Sequence, residues 1–178
     1  PRFEHSSTGE SLGLLVEEER TNYILYSEAI LSNVVSGPNR TILQNAEISP
    51  DGTTTAASVT ATGTDPYVVV NTATGVSAGT YTFSVYLKGH SSNSSQNCKL
   101  RVQDAGSGLQ TSNNLAITTD WQRYDFTVTT TGNLQNVRLD IPDIAVSGDI
   151  VYVWGLQIEA GSFPTSYIPT CGSTATRA

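Results

Sequence analysis

Residues 151–170, VYVWGLQIEAGSFPTSYIPT, combine an apolar strand with a proline-containing coil, and the rest of the chain is arranged around them. The first half, Val151–Ile158, is interrupted only by a glycine and a glutamine, which predicts a buried β-strand. The second half holds two prolines that fix its backbone, and three large apolar side chains: Phe163, Tyr167 and Ile168. A free coil would expose these side chains to water, so we predict that residues 159–178 form a C-terminal clasp packed on the domain.

The remaining strands are predicted from the alternation of apolar and polar residues. The clearest case is Thr80–Lys88, TYTFSVYLK, in which every second side chain from Tyr81 is apolar. Further strands are predicted at Thr21–Ile30, Thr53–Thr62, Tyr67–Asn71, Cys98–Gln103, Trp121–Thr129 and Asn136–Ile141. Residues 31–50 form a looser segment, and no helical period is present. The prediction is an all-β fold, one antiparallel β-sandwich of the jelly-roll type over residues 1–178, with 1–20 as an N-terminal lead-in.

The composition argues against two classes of partner. The chain has 16 Asp+Glu against 9 Lys+Arg, a net charge of −7, and its basic residues are scattered. Phosphate binding needs a basic stripe, so we expect no nucleic-acid partner. No apolar run approaches the roughly 20 residues of a membrane-spanning helix, so we expect no membrane insertion. The chain has no Met, from which we expect a module of a longer or processed protein.

The sequence offers no convergent catalytic set. Its two histidines are His5, near the beginning of the chain, and His90, in a serine-rich loop. The nucleophile-elbow pattern is absent. The aspartates are spread singly over turns and strands, so no pair can be nominated for glycoside hydrolysis. We predict that the protein is not an enzyme and needs no catalytic cofactor.

A structural calcium ion is a further possibility that the sequence leaves open. The available oxygen ligands near the first and last strands belong to Glu17, Glu19, Asn22 and Glu159. Consecutive glutamates on an extended strand point to alternating faces, so they converge only at a bend, and a solvated acidic edge is the alternative. Cys98 and Cys171 could form a disulfide, but the alternation around Cys98 favours a buried free thiol.

A ligand-binding face is predicted on the outward side of the central strands. Sugar recognition needs an aromatic face for stacking and planar polar groups that donate and accept hydrogen bonds in pairs. The residues that supply both are Tyr86, Arg101, Gln103, Arg138, Asp140 and Gln157. The alternative is structural, because arginine and aspartate on neighbouring strands form ordinary ion pairs. A solvent-facing pocket lined by Tyr86, Arg101 and Arg138 would favour binding, and a flat ion-paired sheet would favour the structural role.

Blocks at the two ends of the chain resemble a known kind of module. They are GLLVEEERTN at Gly13–Asn22 followed by Tyr26-Ser27-Glu28, and WGLQIEAGSFPTSYIPT at Trp154–Thr170 followed by GSTATRA at Gly172–Ala178. With these blocks the chain resembles a module of bacteriophage virion proteins of the tail-fibre, tailspike and capsid-surface type. That family in turn resembles carbohydrate-binding jelly-roll modules. Cys171 stands where the pattern leads us to expect Thr, so the resemblance does not imply a disulfide at this cysteine.

The resemblance implies a location and a class of role. We expect a non-enzymatic module on the virion surface, made in the cytoplasm of the bacterial host, that attaches a fibre or spike to a host-surface glycan. Its partners would be other virion proteins, and a homo-oligomer, a trimer by analogy, is expected. Two alternatives stay open. One is a structural capsid-decoration or fibre-assembly module without a small ligand, and the other is a carbohydrate-binding module of a secreted enzyme.

Overall fold

Two antiparallel sheets pack face to face in the computed structural model, which describes residues 2–5, 11–15, 17–141 and 146–177. The strands are β1 Arg2–His5, β2 Ser11–Leu15, β3 Arg20–Asn22, β4 Val34–Ser36, β5 Arg40–Glu47, β6 Ala56–Ala61, β7 Tyr67–Asn71, β8 Thr80–Gly89, β9 Asn97–Asp104, β10 Gly108–Thr111, β11 Leu115–Ala116, β12 Gln122–Thr129, β13 Leu134–Asp140, β14 Ile150–Ala160 and β15 Ala175–Arg177. A 3₁₀ turn lies at Ile30–Ser32. The predicted antiparallel β-sandwich is confirmed.

One layer is a six-stranded sheet in the order β10-β9-β13-β7-β4, with β11 paired to β9. The other is a five-stranded sheet in the order β12-β8-β14-β6-β5. Alternate side chains of both sheets point into the space between them, as a period of two requires. The fully buried side chains there include Leu100 and Val102 from the first sheet and Phe83, Val85 and Ile158 from the second. No helix among the described residues is long and apolar enough to cross a membrane.

The segments between residues 21 and 50 differ from the prediction. The strand expected at Thr21–Ile30 ends at Asn22, because the Asn22 side chain accepts the Ile24 N–H at 3.0 Å and takes the place of a strand partner. The segment expected to be loose contains β5, the edge strand of the five-stranded sheet. Its pairing with β6 shifts register between Leu43 and Glu47, where Asn45 has a φ of 57°. This bulge interrupts the alternation of apolar and polar residues from which a strand is predicted.

The two ends of the chain meet beside β14 of the five-stranded sheet, where the Tyr23 N–H donates to the Ile158 carbonyl. The predicted lead-in contains a hairpin of β1 and β2, and β3 pairs with β15 near the end of the predicted clasp. Residues 162–170 cover the outward side chains of Gln157 and Glu159 on β14, with Ile168 buried. Phe163 is half exposed, and its ring centre lies 5.4 Å from the Arg20 guanidinium carbon. Residues 1, 6–10 and 16 of the lead-in and residue 178 of the clasp lie outside the described residues.

Candidate functional site

The outward side of the six-stranded sheet carries a compact group of polar side chains, here called the polar face. Its members are Tyr67 on β7, Lys99, Arg101 and Gln103 on β9, and Asn136, Arg138 and Asp140 on β13. The strand register brings them together in rows. Arg101 is paired with Arg138, and Asp140 lies between Lys99 and Tyr67. Four of the six predicted ligand-binding residues therefore share one surface: Arg101, Gln103, Arg138 and Asp140.

Asp140 organises the polar face electrostatically. Its Oδ2 lies 2.5 Å from Arg101 Nη2, and its Oδ1 pairs with Arg138 Nε. The Arg138 guanidinium also stacks on Tyr67, with its carbon atom 3.5 Å from the ring centre. In the neighbouring row, the Asn136 amide donates to Gln103 Oε1 at 3.1 Å. Arginine and tyrosine side chains are thus held in fixed orientations by their neighbours, with both arginines still part-exposed.

Tyr86 and Gln157 lie on the opposite sheet, so the predicted pocket of Tyr86, Arg101 and Arg138 does not form. The reason is that β8 and β9 follow one another in sequence but belong to different layers, and their outward faces point in opposite directions. Tyr86 packs against Trp154, with ring centres 5.4 Å apart, and under the Arg123 guanidinium at 5.6 Å. Gln157 is fully buried, so its expected position on a solvent face is wrong.

Gln157 and Glu159 instead hold the clasp on the sheet. The Ile168 N–H donates to Gln157 Oε1 at 2.7 Å, and the Gln157 amide donates to Glu159 at 2.6 Å. Glu159 accepts the Thr165 N–H at 2.8 Å and the Thr165 hydroxyl at 2.6 Å. Two outward positions of a strand are therefore buried by a coil that needs their hydrogen bonds. The sequence carried a signal for this contact. Gln157 and Glu159 are polar residues at alternate positions of an apolar strand, and such residues mark a face to which the clasp can hydrogen-bond.

The predicted calcium ligands serve the same purpose. Asn22 Oδ1 accepts the N–H groups of Ile24 and Ile158, and its amide donates to the carbonyls of Leu156 and Ile168. Glu17 accepts the Ser166 N–H at 2.7 Å and pairs with Arg177 at 3.2 Å, while Glu19 is exposed. Within the described ranges, no group of three or more His, Cys, Asp or Glu side chains could hold a metal ion. The oxygens of Asn22 and Glu159 are engaged with the protein's own donors and do not converge on a cation.

The two cysteines are free. Cys98 lies in the core between the sheets, where burial raises the pKa of its thiol well above the usual range. Cys171 is exposed in the C-terminal segment, and the neighbouring Tyr26 forms a bridge with it through the backbone. The buried free thiol predicted at Cys98 is confirmed.

The comparisons with known proteins agree with the architecture. A family model described as a carbohydrate binding domain matches residues 44–142. Among solved structures, the xylan-binding domain CBM22-1 of Xyn10C from Paenibacillus barcinonensis superimposes with a TM-score of 0.60, covering 82% of this chain and 94% of its own at 11% identity. A family 16 carbohydrate binding module covers 77% of this chain and 99% of its own, with a TM-score of 0.54 and 16% identity. These similarities confirm the jelly-roll fold.

A carbohydrate binding module of family 29 is similar to the same extent, with a TM-score of 0.56 and 13% identity over 82% of this chain and 92% of its own. A search of curated protein sequences found no match. The end blocks at residues 13–28 and 154–178 lie outside the region that the family model matches. They include β3, β15, part of β14 and the clasp.

Proposed function

The chain belongs to the carbohydrate binding domain family, and from this premise we propose that it is a non-catalytic module that binds a glycan through the polar face. The observation that carries the proposal is the arrangement around Asp140, in which two arginines and a tyrosine are fixed on one solvent-facing sheet. A guanidinium presents several N–H donors in one plane, which suits the adjacent hydroxyl groups of a sugar ring. Gln103 and Asn136 add amide donors and acceptors in the next row.

Four residue types of the polar face are also the types replaced in variants of a structurally similar module. Solved variants of a family 29 module replaced a tyrosine, a lysine, an arginine and an aspartate to probe its ligand recognition. Tyr67, Lys99, Arg138 and Asp140 bring the same four residue types to one surface in this chain. The proposal for this chain is a polysaccharide or surface glycan that lies along the sheet, crossing the rows of side chains contributed by β9, β13 and β7.

We further propose a setting for this activity, which rests on the resemblance of the end blocks alone. In this setting the module sits on a bacteriophage particle with other virion proteins, as a homo-oligomer, and attaches it to a host-surface glycan. The carbohydrate-binding module of a secreted enzyme is compatible with the same family membership and is the second candidate. The two settings differ in the parent gene, because the second requires a catalytic domain in the same polypeptide.

The binding proposal is tested by affinity electrophoresis in gels that contain soluble polysaccharides, together with a glycan array. We expect the wild-type domain to be retarded by at least one glycan and the Arg101→Ala/Arg138→Ala double variant to migrate freely. Arg177→Ala is the matched control, because its side chain is ion-paired and 24% exposed, close to the 23% of Arg101, but lies on the clasp. Equal retardation of the double variant and the control would show that the polar face is not the site.

A further inference from the structure

A second cleft lies on the opposite layer of the sandwich, on the half of the five-stranded sheet that the clasp leaves open. It has a volume of about 270 Å³ and is lined by Glu47, Lys88, His90, Thr119 and Tyr152. Tyr152 is on β14 and pairs with Lys88 on β8, so both side chains point outward from the sheet. The cleft shares no residue with the polar face.

A loop anchored at both ends follows Glu47, one of the residues that line this cleft. The segment after β5 leaves the sheet edge and crosses the outer face, where Trp121 Nε1 donates to the Ile48 carbonyl at 2.8 Å. Trp154 Nε1 donates to Thr55 Oγ1 at 2.9 Å where the segment returns towards β6. These two indole N–H groups fix the loop at both ends. Glu47, the last residue of β5, stands directly before this anchored loop and lines the cleft beside Lys88.

The side chains in the cleft are of the kind that recognises a sugar ring. Lys88 Nζ lies 3.5 Å from Glu47 Oε1 and 5.7 Å from the ring centre of Tyr152. The His90 ring centre is 6.4 Å from that of Tyr152. The Ser92 N–H lies 3.2 Å from His90 Nδ1 and the Ser92 hydroxyl lies 2.7 Å from the same nitrogen, so this loop orients the imidazole at the cleft.

The balance of charge argues against an anionic ligand. The Lys88 ammonium and the Glu47 carboxylate cancel, so the cleft has no excess positive charge with which to hold a phosphate or a sulfate. It offers an aromatic ring, an ammonium donor and a carboxylate acceptor within a volume suited to a single small ring. From this geometry we propose that the cleft is a second saccharide site that binds a single pyranose ring, independently of the polar face.

The consequence is a bivalent domain. Because the two sites lie on opposite layers of the sandwich, one molecule could hold two glycan chains, or the end of one chain and the length of another. Bivalent attachment to a surface gives a stronger overall interaction than either site alone, through the high effective concentration of the second ligand. The inference goes beyond the proposed function, since either site could bind without the other.

The test is an NMR titration of the labelled full chain with glucose, galactose, mannose, xylose and N-acetylglucosamine. We expect at least one sugar to shift the resonances of Lys88, His90 and Tyr152 with a Kd on the order of 1 mM, as is usual for a single shallow site. Tyr152→Ala should abolish these shifts, whereas Tyr152→Phe keeps the stacking ring and should retain them. Glu47→Gln should weaken binding about tenfold through loss of a charged acceptor.

Three outcomes would overturn the second site: no sugar perturbs the cleft, the shifts persist in Tyr152→Ala, or inorganic phosphate produces the same shifts as the sugar. The Arg101→Ala/Arg138→Ala variant separates this result from the polar-face proposal. If cleft shifts remain in that variant, the second site stands on its own, whatever the polar face does. If the wild-type polar face binds a glycan but the cleft does not respond, only the second site is wrong.

Discussion

At the scale of single residues, buried polar side chains decide which surfaces of this domain are open to a ligand. Asn22, Gln157 and Glu159 are fully buried and use their oxygens and amides on the backbone of the clasp and its neighbours. From sequence, such residues are easily taken for ligands, because carboxylates and amides are also what metals and sugars bind. Only their contacts distinguish the two roles. Arg101 and Arg138 were placed correctly on one face because alternation along β9 and β13 is regular.

Replacing Glu159 should lower the free energy of unfolding more than replacing a surface glutamate does. Glu159→Ala leaves the buried N–H and hydroxyl of Thr165 without their acceptor, at a cost of about 1–3 kcal/mol for each unsatisfied group. The control is Glu18→Ala, which removes an exposed ion pair with Arg20 worth about 1 kcal/mol or less. Urea denaturation of both variants measures the difference. Equal losses in free energy of unfolding would contradict the role assigned to Glu159.

The stability of the fold should depend on pH through Asp104. Burial raises the pKa of this carboxyl, but N–H donors from Ser107, Gly106 and Gly132 outweigh it and hold the pKa below its usual value. A carboxyl whose pKa is depressed by folding stabilises the protein above the unfolded pKa, about 3.9, and loses this contribution as pH falls through the folded pKa.

Asp104→Asn tests this dependence, with Asp120→Asn on an exposed turn as the control. At neutral pH we expect the Asp104 variant to melt at a lower temperature than the wild type. Since the wild type loses its advantage as Asp104 is protonated, the difference in melting temperature between the two proteins should narrow as pH falls below about 4. A difference in melting temperature that stays constant as pH falls would show that the charge of Asp104 makes no contribution to the stability of the fold.

At the scale of elements, β14 is the strand on which the fold is organised, and its middle is bent by a bulge. The pairing of β14 with β8 shifts register between Trp154 and Gln157, and Gly155 there has a φ of 64°. The sequence predicted this strand and β7 from their apolar runs, and β8 and β12 from their regular alternation of apolar and polar residues. It missed β5, whose alternation is broken by a bulge. It also could not assign strands to layers, because some consecutive strands, such as β8 and β9, belong to different sheets, whereas others, such as β5 and β6, share one.

The bulge should tolerate no side chain at Gly155. A Cβ there would lie 3.1 Å from Tyr86 and 3.3 Å from Tyr167, in addition to the strain of a positive φ. Gly52 also has a positive φ, of 85°, but nothing lies within 4 Å of its Cβ position. We expect Gly52→Ala to cost about 1–2 kcal/mol from backbone strain alone, and Gly155→Ala to cost about 1–3 kcal/mol more from overpacking. Thermal unfolding of both variants gives the comparison, and equal losses would rule out the close packing of Tyr86 and Tyr167 on Gly155.

At the scale of the whole molecule, the two layers differ in how much of the outer face is covered by the chain itself. The five-stranded sheet is partly closed by the chain's own ends, whereas the six-stranded sheet presents the polar face. The end blocks of the sequence, at residues 13–28 and 154–178, include β3, part of β14, the clasp and β15. The region matched by the carbohydrate binding domain family, residues 44–142, contains every residue of the polar face.

The central claim is that Arg101, Arg138 and Asp140 bind a glycan, and titration calorimetry tests it most directly. The glycan that retards the domain in affinity gels is titrated into the wild type, Arg138→Ala and Arg177→Ala, with melting temperatures measured on the same samples. We expect Arg138→Ala to weaken binding at least tenfold, about 1.4 kcal/mol, while it remains folded and Arg177→Ala binds as the wild type does. Unchanged affinity in a folded Arg138→Ala variant would contradict the account and move the binding site away from the six-stranded sheet.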